Sequence, residues 1–355
     1  MVAHPLDDRM NEPRVRILTT GGTIASTADD DAKTPSESGS ALVETVPGID
    51  DGITLEVTDV CQVSGFQMNA THANELADAV EGAAAEGVDG VVLTHGTDTM
   101  AETAYLLASV LETEIPVVCT GSQRSFDQLG SDGPTNLRLA VRTATDDRFR
   151  AAGGVYVAFN DTVHAARYAT KTHTSRLETF QSPGFTAVAE RTPNGLRILA
   201  KPNVVVPRFP GGRLDPDVRI PLVTNALGVD GWAIERGLET DAIDGVALAG
   251  TGLGNATADL GTALEDAIED EIPVVLTSRC HEGTTAGVYG GPGGAATLLA
   301  AGAIRGGDLP AWKARLTLWL GRSEGLGLDE VRSVFESVET FDGVLEASKS
   351  TLQGE

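Results

Sequence analysis

Lysine is almost missing from this chain. It stands only at positions 33, 171, 201, 313 and 349 of 355 residues, and every other base is arginine. Cysteine is scarcer still. Cys61, Cys119 and Cys280 are too few and too widely spaced for a disulfide framework or a paired metal spacing, so buried thiols are expected. Histidines at 4, 72, 95, 164, 173 and 281 include no i, i+4 pair of the kind that grips zinc from one helix face. No apolar run approaches the ~20 residues of a membrane span. The opening residues, MVAHPLDDRMNEPR, lack the basic and then apolar regions of a secretion signal. These absences point to a soluble, cytoplasmic protein.

What is abundant is negative charge. Fifty-one acidic residues against 26 basic ones leave a formal charge of −25. That balance opposes phosphate neutralisation on nucleic acid and docking on anionic lipid. Acidic runs recur, at Asp29 to Asp31, Asp146-Asp147 and Glu269 to Glu271. Such a surface repels itself in dilute buffer, and high salt screens the repulsion, so a halophilic, salt-rich cytoplasm is the expected setting. The apolar content of 41% supplies a real core. The length allows two domains of roughly 100–200 residues.

Short apolar runs alternate with helical patterns. Strands are expected at Val15 to Thr20, Ile53 to Val60, Gly90 to His95, Pro116 to Thr120 and Gly154 to Phe159, then at Ile220 to Thr224, Gly245 to Ala249 and Pro273 to Thr277. Near-continuous apolar strands suit a parallel sheet covered on both faces. Between them, a helix capped at Thr71 would carry Leu76, Ala79, Val80 and Ala83 and stop at Gly87. A second spans Thr99 to Leu111. A third opens at Ser131-Asp132-Gly133-Pro134, with Asp132 and Asn136 capping and bracing its start. A last one after Leu328 lines up Val331, Val334, Phe335 and Val338. The expected fold class is α/β. Prolines and glycines concentrate in Lys201 to Asp217, which suggests a larger N-terminal domain over 1–205, a linker over 206–219 and a smaller α/β domain over 220–355.

Ligands of open α/β sheets bind beyond the carboxyl ends of the strands. Those ends read Thr20-Gly21-Gly22-Thr23, His95-Gly96-Thr97-Asp98-Thr99 and Gly121-Ser122-Gln123-Arg124, a gathering of hydroxyls, small residues and one carboxylate. No Gly-x-Ser-x-Gly elbow follows a strand. A phosphate cradle at Gly21-Gly22 lacks the third glycine of a dinucleotide fingerprint, and Lys33 is too distant for a Walker loop. What remains is a threonine hydroxyl on a glycine-hinged loop, which needs a base before it attacks anything. Asp98 adjoins Thr97. Lys171 follows the fifth strand by about a dozen residues and is open to two readings, a base at the same edge or a surface partner for the acidic face.

These residues carry a resemblance. Thr20 to Ala25, Thr94 to Met100, Ser131 to Leu137, Asn160 to Val163 and Thr170 to Thr172 together resemble, in order and spacing, the bacterial-type L-asparaginase/glutaminase family over most of the chain. The resemblance implies a two-domain amidohydrolase, without metal or organic cofactor, that releases ammonia from L-asparagine, with minor glutaminase activity, assembled as a homotetramer or homodimer. Thr23 would be the nucleophile. Thr97, Asp98 and Lys171 would form a second constellation, with Asp98 also binding the substrate α-amino group. Gly96, Thr97 and the Ser122 backbone would line the amide end, with Gly22 and Gln123 beside them. Departures are visible too. The tyrosine that usually follows the first threonine is missing from Lys33 to Ser38, and Tyr289 is one candidate to replace it. The serine that meets the substrate carboxylate falls on Gly65, with Ser64 adjacent.

Three places keep plainer expectations: His95 supports its turn, Arg124 is a wall or surface group, and His281-Glu282 beside Cys280 is not a metal site. Two other functions compete. One is the ammonia-supplying subunit of an archaeal glutamyl-tRNA amidotransferase, which carries an additional N-terminal barrel where this chain has 14 residues before its first strand. The other is a catalytically dead amide-binding module, which intact Thr23, Thr97, Asp98 and Lys171 argue against.

Overall fold

The computed structural model describes residues 12–28, 33–35, 39–202 and 204–337. Ser36 to Ser38, the acidic run Asp29 to Asp31, Val338 and the opening residues 1–11 lie outside it. The chain divides into two compact units, one ending at Val204 and one starting at Val205.

The first unit enters on β1 (Arg14–Gly21), makes a 3-10 turn over Thr23–Ala25 and passes through a ribbon, β2 (Ser26–Ala28) and β3 (Lys33–Pro35), to α1 (Gly39–Glu44). There follow β4 (Thr54–Val63), α2 (Ala70–Ala85), β5 (Gly90–Thr94), α3 (Met100–Val110), β6 (Pro116–Thr120), α4 (Gly133–Thr145), α5 (Asp147–Ala152) and β7 (Gly154–Phe159). Next come β8 (Thr162–Ala165), the pair β9 (Thr170–Lys171) and β10 (Phe180–Gln181), then β11 (Ala189–Thr192) and β12 (Gly195–Ile198). The main sheet runs β4-β1-β5-β6-β7-β8-β11-β12. Its first five strands are parallel, and the last three turn antiparallel. β5 and β6 are buried along their whole length, as a sheet covered on both faces requires.

α2 shows how local chemistry sets an element. Its cap is Asn69, two residues before the expected Thr71, and the Asn69 side chain accepts the His72 N–H at 3.1 Å. Ala73, Leu76, Ala77, Val80 and Ala83 form the buried stripe, while Ala79 is half-buried. Fully burying a leucine or valine is worth roughly 1.5–3 kcal/mol, so the stripe holds the helix more firmly than its cap does.

The second unit contains β13 (Leu222–Thr224), α6 (Trp232–Glu239), β14 (Val246–Gly250), α7 (Ala258–Glu269), β15 (Val274–Ser278), α8 (Ala295–Ala301), β16 (Ile304–Arg305) and α9 (Ala311–Ser323). A further helix over 328–337 buries Val331 and Phe335. The sheet is parallel throughout, in the order β13-β14-β15-β16, and its core gathers Ile234, Leu248, Leu260, Leu264, Leu276 and Leu298. Residues 206–219 form neither helix nor strand. No helix among the described residues is long and apolar enough to cross a membrane. The expectation of buried thiols holds for Cys119, whose pKa burial pushes up to about 12, and fails for Cys280. Cys280 is exposed because it sits in the irregular bend that follows β15.

Strand order singles out one crevice. From β1 the chain crosses to β4 on one side, and from β5 it crosses to β6 on the other. The carboxyl ends of neighbouring β1 and β5 therefore flank a topological switch point, where such sheets open to ligands.

Candidate active site

Three loops meet at that crevice, backbone against backbone. They leave β1 at Gly22, β4 at Gly65 and β5 at Gly96. A Cβ on Gly22 would lie 2.5 Å from the Gly96 nitrogen, and one on Gly65 would lie 2.9 Å from the Gly96 carbonyl carbon. Gly22 also holds φ +77°, where only glycine is comfortable, and donates its N–H to the Val63 carbonyl at 3.1 Å. The Thr99 hydroxyl donates to the Gly65 carbonyl at 2.7 Å. This junction puts Thr23, Ser64 and Thr97 each one residue from a shared point. Thr23 is half-buried at the start of its 3-10 turn, and the next residue, Ile24, is buried against Gly133 at the head of α4.

Thr97 is buried at 5% exposure, and Lys171 reaches it from β9. The Lys171 Nζ donates to Thr97 Oγ1 at 2.8 Å and to Asp98 Oδ1 at 2.7 Å. Lys171 thus lies at the same strand-end edge as Thr97 and is also paired with the carboxylate of Asp98. The ammonium nitrogen lies among two side-chain oxygens at the sheet edge, with only 17% of its side chain exposed.

His95 is fully buried beneath the same loop. Its Nδ1 lies 2.7 Å from the Gly96 carbonyl, and its Nε2 lies 3.0 Å from the Thr103 hydroxyl. A carbonyl neighbour requires the proton on Nδ1, and Thr103 then donates to Nε2. Burial holds the imidazole neutral, with its pKa pushed down to about 4. The turn-supporting expectation for His95 matches this arrangement.

Asp132 differs from its expected role. It starts α4 without capping it by its side chain. The carboxylate instead accepts the N–H of Gln123 at 3.1 Å, the N–H of Arg124 at 3.0 Å and Asn136 Nδ2 at 3.0 Å. Asn136 also donates to the Gly121 carbonyl and accepts the Asn160 N–H, both at 2.9 Å. The pair thus ties the ends of β6 and β7 to α4. Ser122 spends its hydroxyl on the Arg124 carbonyl at 2.6 Å. The Gln123 Nε2 is buried and finds no hydrogen-bond partner among the described residues. Arg124 donates to the Gly130 carbonyl at 2.8 Å. Ser64 gives its N–H to Gln67 Oε1 at 3.1 Å. Tyr289 belongs to the second unit, where it is exposed. His173, absent from the expected site residues, has its ring in the turn just beyond Lys171. A histidine two residues past a candidate base was the one available signal.

Known families account for both units. A family model described as "Asparaginase, N-terminal" matches residues 14–204, and one described as "Glutaminase/Asparaginase C-terminal domain" matches residues 219–335. The chain belongs to the asparaginase family. An L-asparaginase of Bacillus licheniformis is 33% identical over 308 residues, which cover 86% of this chain and 94% of that one. A probable L-asparaginase of Deinococcus radiodurans is 35% identical over 330 residues, covering 91% and 97%. A glutamyl-tRNA(Gln) amidotransferase subunit of Methanothermobacter thermautotrophicus is 33% identical over 76% of this chain but only 63% of its own length. Among solved structures, a probable cytoplasmic L-asparaginase from Campylobacter jejuni superposes with a TM-score of 0.79 at 28% identity, covering 91% of this chain and 99% of that one.

Proposed function

We propose that this asparaginase-family chain hydrolyses the side-chain amide of L-asparagine to L-aspartate and ammonia. The observation that carries the reading is the lysine ammonium shared between Thr97 and Asp98, one loop away from Thr23. Thr23 Oγ1 adds to the amide carbon and gives up its proton. Backbone N–H groups at the crevice stabilise the oxyanion. The C–N bond breaks, the proton leaves with ammonia, and Thr23 keeps the aspartyl group as an ester. Water then adds to the ester carbon and gives its proton to Thr97, whose own proton passes to Lys171, a free amine for this step, and from there to the departing Thr23 oxygen. Thr23 leaves with a proton and aspartate is released. Asp98 holds the substrate ammonium through its remaining carboxylate oxygen.

The excess of acidic residues, at a net charge of −25, opposes contact with tRNA phosphates and favours the amidohydrolase reading over that of an ammonia-supplying subunit. An extra methylene is worth only ~1–3 kcal/mol, so weak turnover of L-glutamine accompanies the main activity. A net charge of −25 supports work in a salt-rich cytoplasm, and assembly is as a homotetramer or homodimer.

Ammonia release from L-asparagine and L-glutamine in molar KCl, by wild type and by Thr23→Ala and Thr97→Ala, tests the reading. Asparagine turnover lost in both folded variants is the expected result. A folded wild type that releases no ammonia overturns it, and near-normal turnover by Thr97→Ala removes the lysine constellation from the reaction. Equal activity and stability in dilute buffer would remove the halophilic reading.

A further inference from the structure

We infer that His173 is a positioning residue that holds Lys171 against Thr97. The inference rests on the proposed reaction and extends it to a residue that touches neither substrate nor the reacting atoms. Lys171 sits on a strand of only two residues, which pairs with β10 at Lys171↔Phe180 and Thr170↔Gln181. A ladder that short is marginal by itself. Its far end is fixed by Phe180, which is buried with its ring 5.1 Å from that of Phe159 at the end of β7. The near end is the loop over 172–179, and one histidine organises it.

The His173 Nδ1 accepts two backbone N–H groups, from Ser175 at 3.1 Å and from Arg176 at 3.0 Å. Its own carbonyl accepts the Thr179 hydroxyl. Thr172 closes the ring by donating its N–H to the Thr179 carbonyl at 2.7 Å, with its hydroxyl reaching the same oxygen at 3.2 Å. The imidazole therefore does for this loop what a side-chain oxygen does at a helix start. It works only as an acceptor, so the ring proton belongs on Nε2, the opposite tautomer from His95. Without that acceptor the loop loses the contacts that aim residue 171. A misplacement of about 1 Å at a reacting centre can cost about 10²-fold in rate.

Two substitutions separate positioning from bulk. His173→Leu keeps the volume and loses the acceptor, while His173→Asn offers Oδ1 to the same two N–H groups. For L-asparagine, His173→Leu is expected to lower kcat about 10- to 100-fold with KM held within about twofold, and His173→Asn to recover kcat to within about threefold. Crystal structures of the two variants should show the Lys171 Nζ beyond hydrogen-bond reach of Thr97 Oγ1 in the first and within it in the second. Unchanged kcat in His173→Leu, an equal loss in both variants, or a loss carried by KM would each overturn the assignment. If the wild type releases no ammonia from either amide, the proposed reaction fails on its own, and the Nζ to Oγ1 distance in the two variants still decides the role of His173. If His173→Leu does not fold, a kcat deficit in folded His173→Asn equal to that of Lys171→Met would refute the role.

Discussion

The two sheets of this protein end alike and do different things. Both are parallel where they matter, and both finish their central strands in small hydroxyl and amide residues. In the second unit those groups are consumed internally. Thr277 donates to the Leu248 carbonyl at 2.6 Å, Ser278 donates to the Gly252 carbonyl at 2.6 Å, and Asn225 donates to Thr251 Oγ1 at 3.2 Å while accepting the Thr257 N–H at 3.2 Å. In the first unit Thr20 and Thr120 are locked in the same way, on the carbonyls of Thr94 and Ala158. Thr97 differs because its partner is a lysine nitrogen. A hydroxyl that gives its proton to a carbonyl is a brace. One that accepts from a lysine nitrogen still has its proton to move, and on the proposed reaction that contrast separates a reactive hydroxyl from a structural one.

Removing the nitrogen should break the contrast most severely. Lys171→Met keeps the stem in place and deletes the group proposed to relay the proton, so kcat for asparagine should fall by about 10²–10⁴-fold with the melting temperature in molar KCl nearly unchanged. Steady-state ammonia release checks it. A loss under about tenfold would make Thr97 another brace, and the difference between the two sheets would then lie elsewhere.

Much of this was legible in sequence, for physical reasons. Apolar runs such as Gly90 to His95 and Pro116 to Thr120 suited strands buried on both faces, and the observed β5 and β6 end within one residue of them. Lysine scarcity made Lys171 conspicuous. Three features resisted. The short, half-exposed β11 and β12 carry no continuous apolar signal. Asp132 reads as a helix cap because of its position before Pro134, yet the competing backbone donors at Gln123 and Arg124 lie nine and eight residues away in sequence and become neighbours only in the fold. Cys280 is apolar by type, and nothing local reports that its bend faces solvent.

His95 sharpens the comparison from beneath the reactive loop. Its imidazole protonates near pH 4 when folded and near 6.5 when unfolded. Between those values the unfolded chain binds more protons, so stability falls as pH drops from 6.5 and the loss is complete near 4. At 1.36 kcal/mol per unit the total is about 3 kcal/mol. Denaturant titrations in molar KCl at several pH values should show wild type losing about that much more than His95→Asn across the window. Identical slopes would mean that the ring is not neutral in the folded protein.

Gly65 tests the other wall of the crevice. Restoring the serine usual in the family puts a Cβ 2.9 Å from the Gly96 carbonyl carbon, and Gly96 is itself pinned against Gly22. Overpacking of this kind costs about 1–3 kcal/mol. Gly65→Ser is therefore expected to lower stability in denaturant titration and to raise, not lower, KM for asparagine. A tighter KM would show that the junction relaxes and that the serine's absence is incidental.

The smallest effect belongs to the second sheet and matters most for the comparison. Thr277 is fully buried near the end of β15, and its hydroxyl donates to the Leu248 carbonyl as those of Thr20 and Thr120 do to carbonyls in the first sheet. Thr277→Val preserves shape and removes one hydrogen bond to a carbonyl that has a second lone pair, at a cost of about 1 kcal/mol. Ammonia release should not change, because that hydroxyl never had a proton to spare. If kcat falls instead, the second sheet's edge contributes to turnover and the distinction drawn from hydrogen-bond partners fails. If neither stability nor activity moves, a brace at a strand end is worth less than its 2.6 Å contact implies, and the burial of the surrounding Val275 and Leu276 holds that edge without it.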